Sequence, residues 1–192
     1  MIHNILKNKK VILASASPRR RSIFQQIGIN ALQMPANIPE IHTTKNPRIL
    51  VQNLAKSKAV NIAEQVDEDC VIIAADTIVY FEKEILEKPL SERQAVEYLT
   101  RLSGKSHYVY TGIAIWYKNQ LISDYTKSCV TFSEISENDI KEYLKTKEPM
   151  DKAGAYGIQG FGSQFVSKIS GCYFNVMGFP VSLFYEMLKK IM

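Results

Sequence analysis

Apolar residues in this chain cluster in two rhythms, one every three to four positions and one continuous or alternating, and the two rhythms take turns along most of its length. The run "VILA" at 11–14 predicts a strand, followed by a helix over 18–27 and a short strand near 31–35. Asn46 followed by Pro47 is an N-cap with proline in the first helical position, and predicts a long helix to about residue 65. "VIIAA" at 71–75 is β-branched or small throughout, as in a strand buried on both faces. "SERQ" at 91–94 is a capping box opening a helix that ends at Leu102 and is closed by Gly104. From residue 107 the period changes: "HYVYTGIAIWY" and "LISDYTKSCVTF", joined by "KNQ", predict an antiparallel hairpin. "SEND" at 136–139 caps a short helix, Gly-rich loops fill 153–163, and "PVSLFYEMLKKIM" predicts an amphipathic closing helix. The order implies an α/β protein with a mixed sheet, in one domain spanning 1–192 and cleft into two lobes.

Composition narrows the function classes. With 46% hydrophobic and 22% charged residues in 192, a sizeable core is affordable. The amino-terminal "MIHNILKNKK" is too polar for a secretory leader and no apolar stretch is long enough to cross a bilayer, so a cytoplasmic protein without membrane contact is expected. Cys70, Cys129 and Cys172 are widely spaced, outside any metal-binding pattern, and expected to be buried thiols. The net charge of +5 is scattered among acidic neighbours rather than gathered in one stripe, which favours a small polyanionic ligand over a stable nucleic-acid complex. The hairpin offers an edge through which two copies could pair as a homodimer.

The charge that is concentrated lies in "ASASPRRRS" at 14–22. With Ser17 as N-cap and Pro18 as first helical residue, a count of about 100° per residue places Arg20 on the apolar side with Ile23, Phe24 and Ile27, and turns Arg21 to water. An inward guanidinium beside the free N–H groups of a first turn either binds a phosphate or pairs with a carboxylate at the core's edge. On the long helix the same count sets Lys58 in the middle of the arc of Leu50, Val51, Leu54, Ala55 and Ile62, with Lys56 outside it; Lys58 either snorkels or reaches an anion in a pocket.

Asp76 follows five buried residues. Its carboxylate needs a cation, a divalent metal or several donors, unless it bonds to backbone N–H groups in a turn. If both strands end where their apolar runs end, the Arg20 and Asp76 clusters open into one crevice beyond their carboxyl ends. Glu40 in "NIPEIH" offers a second acidic ligand, and Lys88 is held extended by Pro89. "GAYGIQGFG" at 154–162 is not a dinucleotide fingerprint and "GKS" at 104–106 is not a P-loop; the glycines permit tight turns and close approach to a flat ligand. Gln159 in that loop carries a donor and an acceptor that match the N3–H and O4 edge of uracil or thymine, or it is a plain surface amide.

"SASPRR" at 15–20, "ADT" at 75–77, "EKP" at 87–89, "LSGKSHYVYTG" at 102–112 and "KAGAYGIQG" at 152–160, in this order, resemble the Maf family of nucleoside triphosphate pyrophosphatases. The resemblance implies a central mixed, twisted sheet flanked by helices with a deep cleft between two lobes, as in inosine triphosphatases. It also implies hydrolysis of a nucleoside triphosphate to monophosphate and pyrophosphate with a divalent cation, Mg²⁺ or Mn²⁺. By the same resemblance Asp76 is the essential catalytic carboxylate and a metal ligand with Glu40, while Ser15, Arg20, Glu40, Lys58 and Lys88 hold phosphates or metal. Arg19, Thr77 and Gln159 fit the subgroup that favours dTTP and UTP. Where family members often carry two adjacent acidic residues, this chain has Pro39 and Glu40. Rival readings are a pyrophosphatase for modified purine nucleotides and a non-catalytic nucleotide- or nucleic-acid-binding regulator of cell division.

Overall fold

In a computed structural model of the chain, residues 1–42, 44–67 and 69–192 are described. They form α1 (Ile2–Ile5), β1 (Lys10–Leu13), α2 (Pro18–Gln26), β2 (Leu32–Gln33), α3 (Pro47–Ala63), β3 (Cys70–Phe81), β4 (Glu84–Leu86), α4 (Glu92–Leu102), β5 (Ser106–Tyr117), β6 (Gln120–Phe132), α5 (Glu137–Lys145), β7 (Val166–Ser170), α6 (Tyr173–Met177) and α7 (Val181–Ile191), with short 3₁₀ turns between α5 and β7. The strands make one sheet in the order β2-β1-β3-β5-β6-β7, with β4 beside β3. The sheet is mixed, as expected: β1 pairs parallel with β2 and β3, whereas β4 on β3 and β7 on β6 run antiparallel. Among the described residues no helix is long and apolar enough to cross a membrane. The small elements α1, β4, β7 and α6 are additions to the expected list, each too short to show a hydrophobic period.

The chain divides into two compact units. The first is Met1–Asp76, Thr111–Thr126 and Gly178–Met192. Its helices start where their caps require: the Ser17 hydroxyl accepts from Arg20 N at 3.4 Å and the Asn46 side chain from Arg48 N at 3.0 Å. Ile12, Ala14, Ala55, Ala59, Ile62, Cys70, Ile72, Ala74 and Ala114 form a buried cluster joining β1, α3, β3 and β5. The alanines let α3 lie close, and Gly112 lets it lie closer still. A Cβ there would stand 2.4 Å from the Val51 carbonyl oxygen and 2.9 Å from Gln52 N, both backbone. Gly112→Ala is therefore expected to cost about 1–3 kcal/mol, read as a Tm lowered by roughly 3–10 °C in a thermal melt.

The hairpin of β5 and β6 turns at Lys118 and Asn119, with φ of 47° and 62°. Both central residues are left-handed, as a two-residue turn matched to strand twist requires. The closing helix α7 begins after Pro180, and its Phe184 stacks with Phe24 of α2 and meets Phe179 edge-on.

The second unit is Thr77–Tyr110 and Lys127–Met177. Ser91 caps α4 through Gln94 N at 3.2 Å, but the reciprocal half of the expected capping box goes elsewhere, since the Gln94 amide oxygen accepts from Leu90 N at 2.8 Å. Ser136 caps α5, accepting from Asp139 N at 3.1 Å. The thiols are free; Cys70 is buried as expected, while Cys129, opposite Ser170 at the end of the short edge strand β7, and Cys172, just past that end, are half-buried because so short an edge strand covers them only in part.

The core of the second unit is aromatic, with Phe132 and Tyr156 rings 4.7 Å apart and His107 set edge-on against both. His107 is buried, its Nε2 shares a 2.7 Å hydrogen bond with the Tyr156 hydroxyl, and its Nδ1 has no hydrogen-bond partner among the described residues. Burial pushes its pKa down to about 4. The unfolded chain takes up this proton from about pH 6.5 and the folded chain only near pH 4, so stability falls as pH drops through that window. The full shift is worth about 3 kcal/mol. Urea melts between pH 7 and pH 4 should show this loss, and His107→Gln should flatten it.

Candidate functional site

Burial and charge meet where β3 passes the end of β1. The last β1 pairing sets Leu13 opposite Ile73, and Ala14 N donates to the Ile73 carbonyl at 2.8 Å. Asp76 lies three residues further on, still inside β3 and not at its end, because Thr77, Ile78, Val79, Tyr80 and Phe81 continue the β-branched and aromatic run. This corrects the expectation of a strand ending at residue 75, and it removes the turn explanation for Asp76. The residue as a whole is 6% exposed.

The cation that receives it is Lys58. From the inward face of α3, Lys58 Nζ lies 2.5 Å from Asp76 Oδ1 and 2.6 Å from Glu40 Oε1. The side chains of Lys58 and Asp76 are 12% and 8% exposed, and that of Glu40 is 48% exposed, so the ammonium is gripped between a buried and an open carboxylate. Burial pushes the Asp76 carboxyl above its usual range, and Lys58 and Arg20 pull it back only in part.

Arg20 joins the same group of charges. Its Nε donates to the Gly178 carbonyl at 2.8 Å and its Nη1 to the Ser15 hydroxyl at 3.0 Å, while Asp76 and Glu40 act on it electrostatically. Burial lowers its pKa from the ordinary value, and the nearby Asp76 opposes that shift. The fork is aimed by packing. Phe24, one helical turn after Arg20, meets Phe179 with ring centroids 4.9 Å apart, and Phe179 follows the Gly178 that supplies the carbonyl. Ser15 is buried, its carbonyl accepts from Gln33 Nε2 at 2.7 Å, and its hydroxyl also accepts from Ser17 N at 3.2 Å. Arg21 is exposed, as the helix count requires, and Arg19 is half-buried.

The structure thus brings Ser15, Arg20, Glu40, Lys58 and Asp76 together in the first unit, with Arg19 close enough to lower the pKa of Arg20. Thr77, half-buried, is the first residue of the second unit. Lys88 and Gln159 are exposed side chains of that unit, and the Glu87 carbonyl beside Lys88 accepts from Gly154 N at 3.1 Å, tying the "EKP" segment to the glycine-rich one. Gly178 and Gln33 are partners that no sequence signal marks.

Among the described residues no group of three or more His, Cys, Asp or Glu side chains is placed to hold a metal ion. The donors at hand nevertheless suit a divalent cation. Asp76 and Glu40 already converge on one positive charge, and Mg²⁺ is commonly held by one or two carboxylates completed by water and substrate phosphates.

A similar fold occurs in the Staphylococcus aureus Ham1 protein, which superposes with a TM-score of 0.56 over 96% of this chain and 100% of that one, at 16% identity. That likeness is one of fold. Kinship is shown in sequence: residues 10–191 match the family model described as Maf-like protein, and the chain belongs to that family. A dTTP/UTP pyrophosphatase of Clostridium tetani (strain Massachusetts / E88) is 45% identical over 185 residues, covering 94% of this chain and 96% of its own. Proteins of the same name from Bacillus cereus (strain ATCC 10987 / NRS 248) and Caldicellulosiruptor saccharolyticus are each 44% identical, covering 95% of this chain and 90% and 95% of theirs.

Proposed function

We propose that this protein is a nucleoside triphosphate pyrophosphatase that hydrolyses dTTP and UTP to the nucleoside monophosphate and pyrophosphate. The observation that carries the reading is the Glu40–Lys58–Asp76 cluster with Arg20 in electrostatic reach, on a chain so close to proteins of that name. Arg20 and Lys58 hold the negative charge of the phosphate chain, with Ser15 orienting the guanidinium and Lys88 and Arg19 adding positive charge. The oxygen of one water molecule bonds to the α-phosphorus, the bond from that phosphorus to the oxygen bridging to the β-phosphorus breaks, and pyrophosphate departs with its electron pair. Asp76 takes the proton of the attacking water. Arg20 and Lys58 stabilise the charge that moves onto the leaving group. A divalent cation, Mg²⁺ or Mn²⁺, would be held by Asp76 and Glu40 and, when bound, supplies further positive charge beside the phosphates. Gln159 reads the base through the N3–H and O4 edge of uracil or thymine, with Thr77 as a further contact.

Each unit is assembled from separated stretches of chain, which supports reading 1–192 as one functional domain. Its place of work is then the cytoplasm, where nucleoside triphosphates are made and consumed. The test is a panel of nucleoside triphosphates, pyrimidine and modified purine, incubated with and without Mg²⁺ or Mn²⁺. Equimolar pyrophosphate and monophosphate, fastest from UTP and dTTP and dependent on the cation, is the expected result. Triphosphates bound but recovered intact would overturn it, and a faster purine reaction would overturn the choice of base.

A further inference from the structure

The glycines of the 157–162 loop are expected from sequence to admit a ligand, but the atoms that crowd them belong to the protein. A Cβ on Gly160 would stand 2.5 Å from Glu148 Oε2, one on Gly157 3.1 Å from Glu148 Oε1, and one on Gly162 2.6 Å from the Tyr143 hydroxyl. Gly160 also has φ of +83°, where a side chain is strained in any case. The room is filled by hydrogen bonds. Glu148 Oε2 accepts from Phe161 N at 2.9 Å, and Oε1 accepts from Gly162 N at 3.1 Å and from the Tyr143 hydroxyl at 2.9 Å. That same hydroxyl accepts from Gly157 N at 3.3 Å.

The loop is therefore pinned on both sides of Gln159, directly at 161 and 162 and through Tyr143 at 157. The anchors are stiff. Tyr143 is buried on α5 with Phe165 at 5.1 Å between centroids, and Glu148 opens the 3₁₀ turn that follows α5, its own carbonyl accepting from Lys152 Nζ at 3.4 Å. A carboxylate gathering backbone N–H groups makes charge-assisted bonds, stronger than neutral ones. Gln159 itself stays exposed at the crest of the pinned loop, as a recognition side chain must.

We infer that Glu148 is a positioning residue for base recognition: its carboxylate staples the 157–162 loop and so fixes the pose in which Gln159 meets the nucleotide. This rests on the reading of Gln159 given above. The geometry requires both carboxylate oxygens at once. An alanine frees Phe161 N and Gly162 N, whereas a glutamine retains one acceptor oxygen and the volume of the side chain, and should lie between wild type and alanine.

The experiment compares wild type, Glu148→Ala, Glu148→Gln, Gln159→Ala and the double variant Glu148→Ala/Gln159→Ala, each first shown to be folded by near-ultraviolet circular dichroism. Amide hydrogen exchange is read at Phe161 and Gly162, and KM and kcat are measured with UTP and CTP. Glu148→Ala should raise exchange at both amides by about tenfold or more while core amides keep their protection. KM for UTP should rise on the order of tenfold with kcat changed far less, the preference for UTP over CTP should narrow, and the double variant should be no weaker than Gln159→Ala alone. Exchange unchanged in Glu148→Ala and Glu148→Gln would overturn the staple, whatever the substrate. Raised exchange with KM unchanged, where Gln159→Ala does raise KM, would overturn its role in binding. If Gln159→Ala also leaves KM and preference untouched, the reading of Gln159 has failed and the inference falls with it, while the exchange data still record the staple.

Discussion

Asp76→Asn is expected to lower kcat by about 10²- to 10⁴-fold with the protein still folded. The loss is large because asparagine keeps the shape of the carboxyl group but can neither take the proton of the attacking water nor neutralise a cation. The fold survives for an electrostatic reason. Burial holds the Asp76 carboxyl above its usual pKa, which means that the folded protein favours the uncharged form relative to the unfolded chain. Asparagine resembles that form, and Lys58 keeps its ion pair with Glu40, so Tm should change little. Steady-state release of pyrophosphate from UTP and a thermal melt of the same sample decide it. Near wild-type turnover would remove Asp76 from the chemistry.

Lys58→Met should damage stability as well as rate. Lys58 joins two ion pairs of unequal worth. The pair with Glu40 is half open to water and contributes little, whereas Asp76 is buried, and removing the partner of a buried charge costs about 3–5 kcal/mol. Arg20 remains within electrostatic reach of Asp76, which sets the expectation at the lower end, roughly a 10 °C fall in Tm. Kinetically the variant lacks one of the charges that stabilise departing pyrophosphate, and kcat/KM should drop on the order of a hundredfold. Adding Asp76→Asn to Lys58→Met should restore most of the lost stability, since no buried carboxylate is then left without its ammonium, while activity stays absent. Equal stability of Lys58→Met and wild type would show that the 2.5 Å pair contributes nothing net.

The two experiments separate the claims they test. Asp76 is judged by rate with stability held, and Lys58 by a stability cycle that needs no substrate.

Much of this molecule was legible from short stretches of chain. The caps at Ser17, Asn46, Ser91 and Ser136 are where the sequence places them, because a cap is a bond between residues two or three positions apart. The inward turn of Arg20 and Lys58 followed from the 3.6-residue period alone, and so did the exposure of Arg21. Local physics also indicated that a charge at position 76 needed a cation, a metal or several donors unless it sat in a turn, but it could not single out Lys58 among these.

What the tertiary structure decided lies at long range. Lys58 and Asp76 are 18 residues apart and meet because α3 packs on β3 through a layer of alanines; Arg20 is held by a carbonyl 158 residues away because Phe24 packs on Phe179. The glycines of 157–162 announced close approach without saying to what, and only the path of the chain after α5 put Glu148 and Tyr143 there. The reason is common to all three. Periodicity and caps report what a residue does to its neighbours within a turn or two, whereas the partner of a buried charge or a bare backbone depends on which elements distant in the chain share a core.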